Sequence, residues 1–198
     1  MIKEELYSFD DGFRKEYGVV CGVDEAGRGP LAGPVCCASV VLKPDKRYDW
    51  LNDSKKLSEK HREELFEIIK QDAVSWHVEL VDNSTIDRIN ILQATMHGMK
   101  KCIESLCFDV ALIDGNKVPD SSLNCISVVK GDSKSASIAA ASILAKVTRD
   151  NYMTEMAKIY PQYGFEKHKG YPTKAHYLAI RKYGPCEIHR LSFLKTLH

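Results

Sequence analysis

Residues 19–42 read VVCGVDEAGRGPLAGPVCCASVVL. Two apolar runs rich in valine, 19–24 and 34–42, flank a stretch of glycine, proline and charge, which is the pattern of strand, turn and strand. The connection of about ten residues has no helical pattern and is too short for a helical crossover, so the strands are expected to pair antiparallel. The first run closes on Asp24 and Glu25, and Gly27, Arg28 and Gly29 follow at once. Successive strand residues point to opposite faces, so both carboxylates serve one site only if the chain turns near Asp24. The glycines permit that turn and let backbone N–H groups come close to a ligand, while Arg28 supplies a fixed positive charge suited to phosphate. Taken alone, a solvated acidic turn explains these residues equally well.

Working outward, residues 74–80, 110–114 and 125–129 are further short runs with β-branched residues bounded by turn formers, making five expected strands. Helices are expected over 59–71, where Leu65, Ile68 and Ile69 share a face, and over 91–106, where Leu92, Met96, Met99, Ile103 and Leu106 recur at helical spacing. A third helix is expected over 135–149, SASIAAASILAKVTR, whose small side chains let it lie close to the sheet. Strands alternating with helices imply an α/β fold on one mixed five-stranded sheet. From Tyr160 onward Pro161, Gly164, Gly170, Pro172, Gly184 and Pro185 punctuate short segments, so residues 1–160 are expected to form the main body and 161–198 a small appendage.

Two more acidic positions stand beside strands. Asp114 ends the run ALID and is followed by glycine, and Asp132 lies in KGDSKS, just after the last strand and before the Ala-rich helix. An Asp-Gly turn and a helix N-cap account for them separately, but ligands of α/β sheets bind at strand ends, which suggests one shared site. Four carboxylates brought together repel, and hard divalent cations with oxygen ligands relieve that repulsion. Mg²⁺ or Mn²⁺ fits such a set, and two ions about 4 Å apart would suit in-line attack on phosphorus. No histidine or cysteine spacing supports zinc.

Composition narrows the class. The 198 residues are 44% hydrophobic and 28% charged, the mix of an ordinary globular domain. No stretch approaches the roughly 20 apolar residues of a membrane span, and no apolar signal core follows the N-terminal lysine, so a cytoplasmic protein is expected. The seven cysteines, Cys36 and Cys37 adjacent among them, contain no C-x-x-C and read as reduced core residues. The net charge of +1 hides an asymmetry: residues 1–109 hold 15 basic and 20 acidic side chains, residues 110–198 hold 13 and 7. The second half is therefore a candidate face for an anionic partner.

Six ordered blocks, DEAGRGPLAGPV, NDSKKLSEKHREEL, IDRINILQATMHGM, ALIDGN, KGDSKSASIAAASILAKVTRD and HKGYPTKAH, resemble bacterial ribonuclease HII, and the resemblance runs from about Val19 to the C-terminus. It implies a ribonuclease H-like fold with a small helical C-terminal extension. It also implies a divalent-metal endonuclease cutting on the 5′ side of ribonucleotides, in RNA·DNA hybrids or embedded singly in duplex DNA, and leaving a 3′-hydroxyl and a 5′-phosphate. By motif, Asp24, Glu25, Asp114 and Asp132 would be the metal-binding catalytic carboxylates. The Gly27, Arg28, Gly29 backbone would read the ribose 2′-hydroxyl, and Tyr171 would pack on the sugar at the RNA to DNA junction. Lys55, Lys56, Lys146 and Arg149 are candidate phosphate contacts, Asp150 a structural residue, and His168 and His176 are expected at the surface. Arg28 favours the HII over the HIII type.

Two other readings stay open on residues alone: a metal-dependent phosphohydrolase of small phosphate esters, and a noncatalytic nucleic-acid binder. A monomer is the default state. A sliding clamp or polymerase is a candidate partner that no motif supports; Phe193 and Leu194, a conceivable docking element, are expected to be buried instead.

Overall fold

A computed structural model of the chain describes residues 2–49, 51, 54 and 57–195. Helix α1 (Glu4–Tyr17) leads into strands β1 (Val20–Ala26) and β2 (Val35–Val41), and α2 (Glu59–Asp72), β3 (Ser75–Val81) and α3 (Asn83–Glu104) follow. Strands β4 (Val110–Asp114) and β5 (Cys125–Val128) precede the long helix α4 (Ala136–Ile159) and two short helices, α5 (Phe165–His168) and α6 (Lys174–Tyr183). The sheet order is β3-β2-β1-β4-β5. As expected, β1 and β2 pair antiparallel, with Ala26 opposite Cys36. The pairs β1–β4 and β4–β5 are parallel, which makes the sheet mixed.

Helix α3 covers one face of the sheet: its Met99, Cys102 and Ile103 pack with Cys21, Val23, Ala111 and Ile113. Helices α1, α2 and α4 cover the other, where Leu6, Leu65 and Ile69 meet the alanines of α4. The small side chains of α4 do what their size predicts, since α4 and β1 are in close contact along their length. Gly22 completes the fit, because a Cβ there would run into the backbone of Ser137.

Four expectations need correction. The sequence reading places nothing before residue 19, yet α1 docks on α4 through Asp10, whose buried carboxylate accepts from the Ser135 hydroxyl at 2.5 Å and from the Ser137 amide and hydroxyl at 2.8 and 2.7 Å. Asp10 thus supplies the acceptor that the orphan donors of a helix N-terminus require. Helix α3 starts eight residues before Ile91, capped by Asp82. Its break at Asn90 (φ 66°), whose side chain accepts from the Gln93 amide, explains why the helical pattern becomes readable only from 91. Helix α4 runs ten residues past Arg149 because Met153, Met156 and Ala157 keep an apolar face on the C-terminal segments. Ile68 is exposed, its direction rotated away from the face that Leu65 and Ile69 share.

The C-terminal segments are packed against the β1–β2 loop. Leu31 and Ala32 of that loop join Met153, Tyr163, Phe165, Ile180 and Ile188 in one cluster, with Phe193 and Leu194 against it. The Leu31 amide donates to Gly170 O, and the Gly33 amide to Ile188 O, both at 2.8 Å.

Candidate active site

Strands β1 and β4 run parallel with Val23 opposite Ile113, so their next residues, Asp24 and Asp114, stand side by side where the β1–β4 pairing stops. The turn expected near Asp24 comes later, because β1 stays paired with β2 through Glu25 and Ala26. Asp24 is buried, and its Oδ1 accepts the Glu25 amide at 2.7 Å. Burial, and after it the charges of Glu25 and Asp114, push its carboxyl well above the usual carboxylate range, while the Glu25 amide and the Ser142 hydroxyl work in the opposite direction. Ser142 sits on α4 and shares a hydrogen bond of 2.7 Å with the Ser54 hydroxyl. Asp114 Oδ1 accepts the Gly131 amide at 2.6 Å. Asp132 is the next residue, in the 3-10 turn Gly131–Ser133, so the turn that carries it is tied to the end of β4. Glu25, Arg28, Asp114 and Lys117 line one shallow opening, and Arg28 Nη1 stands 3.6 Å from Glu25 Oε1.

The chemistry of this donor set fits a hard divalent cation: oxygen ligands only, at least three of them mutually repelling, one of them removed from water. Among the described residues, no group of three or more His, Cys, Asp or Glu side chains is so placed that it could already hold a metal ion. The folded chain brings Asp24, Glu25 and Asp114 to one end of the sheet and ties the Asp132 turn to it; Asp24 Oδ1 and Asp114 Oδ1 are meanwhile taken by backbone amides.

Beside the carboxylates, the loop after β1 meets the C-terminal segments. A Cβ built on Gly29 would lie 3.8 Å from Tyr171 Cε1, so the ring stands beside the loop at the distance where a side chain there would touch it. Tyr171 is 39% exposed, which leaves its ring available rather than buried as an anchor. Lys146 Nζ and Arg149 Cζ lie 5.8 and 5.7 Å from the ring centroid.

Two sequence-based roles fail here. Arg149 is no phosphate contact: its guanidinium is buried and donates to Pro34 O, Ala32 O and Lys169 O. His176 is not on the surface but fully buried, stacked on His168 at 4.5 Å between ring centroids. Lys146 pairs with Asp150 at 2.9 Å, which gives Asp150 the structural part expected of it. Lys55 and Lys56 lie outside the described residues. The sequence reading missed Ser142, Lys117, His189 and Arg190; all four belong to segments whose composition signals only packing or solvent exposure.

The His176 ring carries the Tyr171 backbone. His176 Nδ1 is 3.0 Å from Tyr171 O, His176 Nε2 is 3.1 Å from His189 Nε2, and the Cys186 amide donates to His189 Nδ1 at 2.9 Å. One proton arrangement satisfies all three contacts: Nδ1–H of His176 donates to the carbonyl, and Nε2–H of His189 donates to the other ring. Both rings are then neutral, and burial depresses each to about 4. Since the unfolded value is about 6.5, the unfolded chain binds more protons than the native one between about pH 6.5 and 4. The stability from these rings is full above that window and is lost as pH falls through it, at about 1.4 kcal/mol per pH unit for each proton. Urea unfolding at pH 7, 6 and 5 is expected to show this decline, and His176→Gln to make it shallower. A variant as steep as the parent would refute the neutral pair.

A family model described as Ribonuclease HII matches residues 21–196. The chain is 51% identical over 199 residues to the ribonuclease HII of Caldicellulosiruptor saccharolyticus, covering 99% of this chain and 97% of that one. It is 58% identical over 192 residues to the ribonuclease HII of Endomicrobium trichonymphae, with 95% and 91% covered. Among solved structures, the ribonuclease HII of Archaeoglobus fulgidus, seen in a complex with PCNA, matches with a TM-score of 0.75 at 25% identity, over 87% of this chain and 94% of that one.

Proposed function

The chain belongs to the ribonuclease HII family, and we propose that Asp24, Glu25, Asp114 and Asp132 are the carboxylates with which it works. It is an endonuclease that hydrolyses the phosphodiester on the 5′ side of ribonucleotides, in RNA·DNA hybrids and at single ribonucleotides within duplex DNA. The observation that carries the site assignment is that Asp24 of β1 and Asp114, the last residue of β4, follow directly on the paired residues Val23 and Ile113 of neighbouring parallel strands. Neither a small-ester phosphohydrolase nor a noncatalytic binder is favoured for a chain so similar to ribonucleases HII over its whole length.

The activity requires a divalent cation, which we assign as Mg²⁺ or Mn²⁺. When bound among these carboxylates, it would supply activation of a water and stabilisation of the leaving oxygen. The residues themselves do the rest. Asp24 and Asp114 provide fixed negative charge where the β1–β4 pairing stops, and the Glu25 amide and Ser142 hydroxyl orient Asp24. Gly27, Arg28 and Gly29 offer backbone groups to the 2′-hydroxyl, the feature that separates RNA from DNA. Arg28, Lys117 and Lys146 attract phosphates, which fixes the duplex without reading its sequence.

We further assign residues 1–160 as the catalytic body and 161–198 as an extension that completes the site. No helix among the described residues is long and apolar enough to cross a membrane, which is consistent with a cytoplasmic location. A monomer suffices for this site. The PCNA complex of the Archaeoglobus fulgidus relative supports a sliding clamp as partner.

The reading is tested on a duplex carrying one ribonucleotide. Nicking is expected with Mg²⁺, with a 3′-hydroxyl left on the 5′ side of the ribonucleotide, and none with a chelator or on the same duplex made only of DNA. Cleavage that survives the chelator would overturn the metal-dependent assignment.

A further inference from the structure

Arg149 and Arg190 are the two largest fully buried side chains of the described residues, at 1% and 0% exposure. Arg190 Nε donates to Gly33 O at 2.9 Å, Nη1 to Arg28 O at 3.0 Å and Nη2 to Gly27 O at 2.7 Å. Arg149 donates to Pro34 O, Ala32 O and Lys169 O at 3.0 to 3.1 Å. Five of these six acceptors belong to the loop 27–34. Among the described residues, neither guanidinium has a carboxylate within ion-pair distance, so each charge is offset by carbonyl dipoles. A buried cation compensated in this way makes its acceptors costly to move, because an abandoned donor would be left unsatisfied. Gly27 (φ +92°) is pressed against Arg149 so closely that a Cβ would run into its Nε.

The bonding also fixes a direction. In a trans peptide the C=O and the N–H of one unit point opposite ways. With the carbonyls of Gly27 and Arg28 turned inward to Arg190, the amides of Arg28 and Gly29 point away from it, and both residues are exposed. We infer that Arg190, braced by Arg149, is a positioning residue for ribonucleotide recognition, holding the Arg28 and Gly29 amides toward the substrate. This inference rests on the loop reading given above. It also makes the C-terminal segment part of the recognition apparatus, because Arg190 reaches the loop from the far end of the chain.

The test compares the parent protein with Arg190→Lys, in Ca²⁺ to hold turnover off, for binding to a duplex with one ribonucleotide and to the same duplex made only of DNA. A lysine keeps the charge but serves three carbonyls from one nitrogen, so the loop loses its fixed orientation. The preference for the ribonucleotide duplex is expected to fall about tenfold while affinity for DNA is kept. An unchanged preference, or an equal loss on both duplexes with a lowered Tm, overturns the inference. A parent protein with no preference sinks the loop reading itself, a result visible before any variant is made. Should Arg190→Lys fail to fold, hydrogen exchange on the parent protein decides: the Arg28 and Gly29 amides are expected to exchange fast when free and to be protected by the ribonucleotide duplex but not by DNA. Protection in the free protein, or equal protection by both duplexes, overturns it.

Discussion

Asp24→Asn is expected to lower kcat on a singly ribonucleotide-substituted duplex by at least about 1000-fold, roughly 4 kcal/mol of transition-state stabilisation. The protein should meanwhile stay folded, with a Tm equal to or above that of the parent. The two effects follow from the same burial. Asparagine keeps the size of the side chain and an oxygen for the Glu25 amide, 2.7 Å away. It removes a charge that burial, Glu25 and Asp114 all disfavour. A group that costs stability where it stands, and is nevertheless charged in the working enzyme, is held there for its interaction with a cation. Asp114→Asn should behave alike, since its amide oxygen can still accept from Gly131. Asp132→Asn should also damage activity; the helix N-cap expected of Asp132 is instead Ser135, whose hydroxyl accepts the Ile138 amide at the start of α4. Initial rates and thermal melts on the same samples check this, and a double Asp24→Asn, Asp114→Asn protein nicking at the parental rate would overturn the assignment.

The sheet was legible because its signals are local. Runs of β-branched residues bounded by glycine and proline mark β1, β2, β4 and β5, and the ten-residue helix-free connection gives the antiparallel pairing of the first two. The acidic positions were legible for the same reason, since Asp24 and Asp114 stand where apolar runs stop, but β1 itself runs on to Ala26 because β2 keeps pairing with Glu25 and Ala26. Arg149 was misread because a basic residue on a helix next to a phosphate site looks the same in sequence whether its guanidinium faces water or the carbonyls of Pro34, Ala32 and Lys169. What decides is the tertiary packing of the loop 27–34, to which the sequence near Arg149 gives no pointer. Arg190 and His189 were missed on the same ground, since their acceptors lie more than 150 residues away for Arg190 and their partner ring 13 residues away for His189. Helix α1 escaped notice because its apolar stripe of Leu6, Phe9 and Phe13 is interrupted by Asp10, a buried charge that no periodicity argument anticipates.

Tyr171→Ala is expected to reduce cleavage of a duplex with one embedded ribonucleotide by roughly 10- to 100-fold, the effect of losing the 1–3 kcal/mol that an aromatic side chain contributes when stacked on a nucleotide. Cleavage within a continuous RNA strand paired to DNA should fall much less. The difference follows from what the ring touches. An aromatic face packed on a deoxyribose loses its contact when a 2′-hydroxyl intrudes, so the ring reports that DNA follows RNA. Its placement supports this: the ring is partly exposed, stands beside the loop at Gly29, and is flanked by Lys146 and Arg149. The backbone beneath it is held separately, by His176 on the Tyr171 carbonyl and by the Leu31 amide on the Gly170 carbonyl. Truncating the ring therefore removes the contact without releasing the segment, and Tm should change little. Asp24→Asn, in contrast, should abolish cleavage of both substrates, because chemistry fails whichever nucleotide is bound. Rates on the two substrates with a folded Tyr171→Ala protein decide the matter: a proportional loss on both would remove the junction-reading role and leave the ring only a packing contact for the loop.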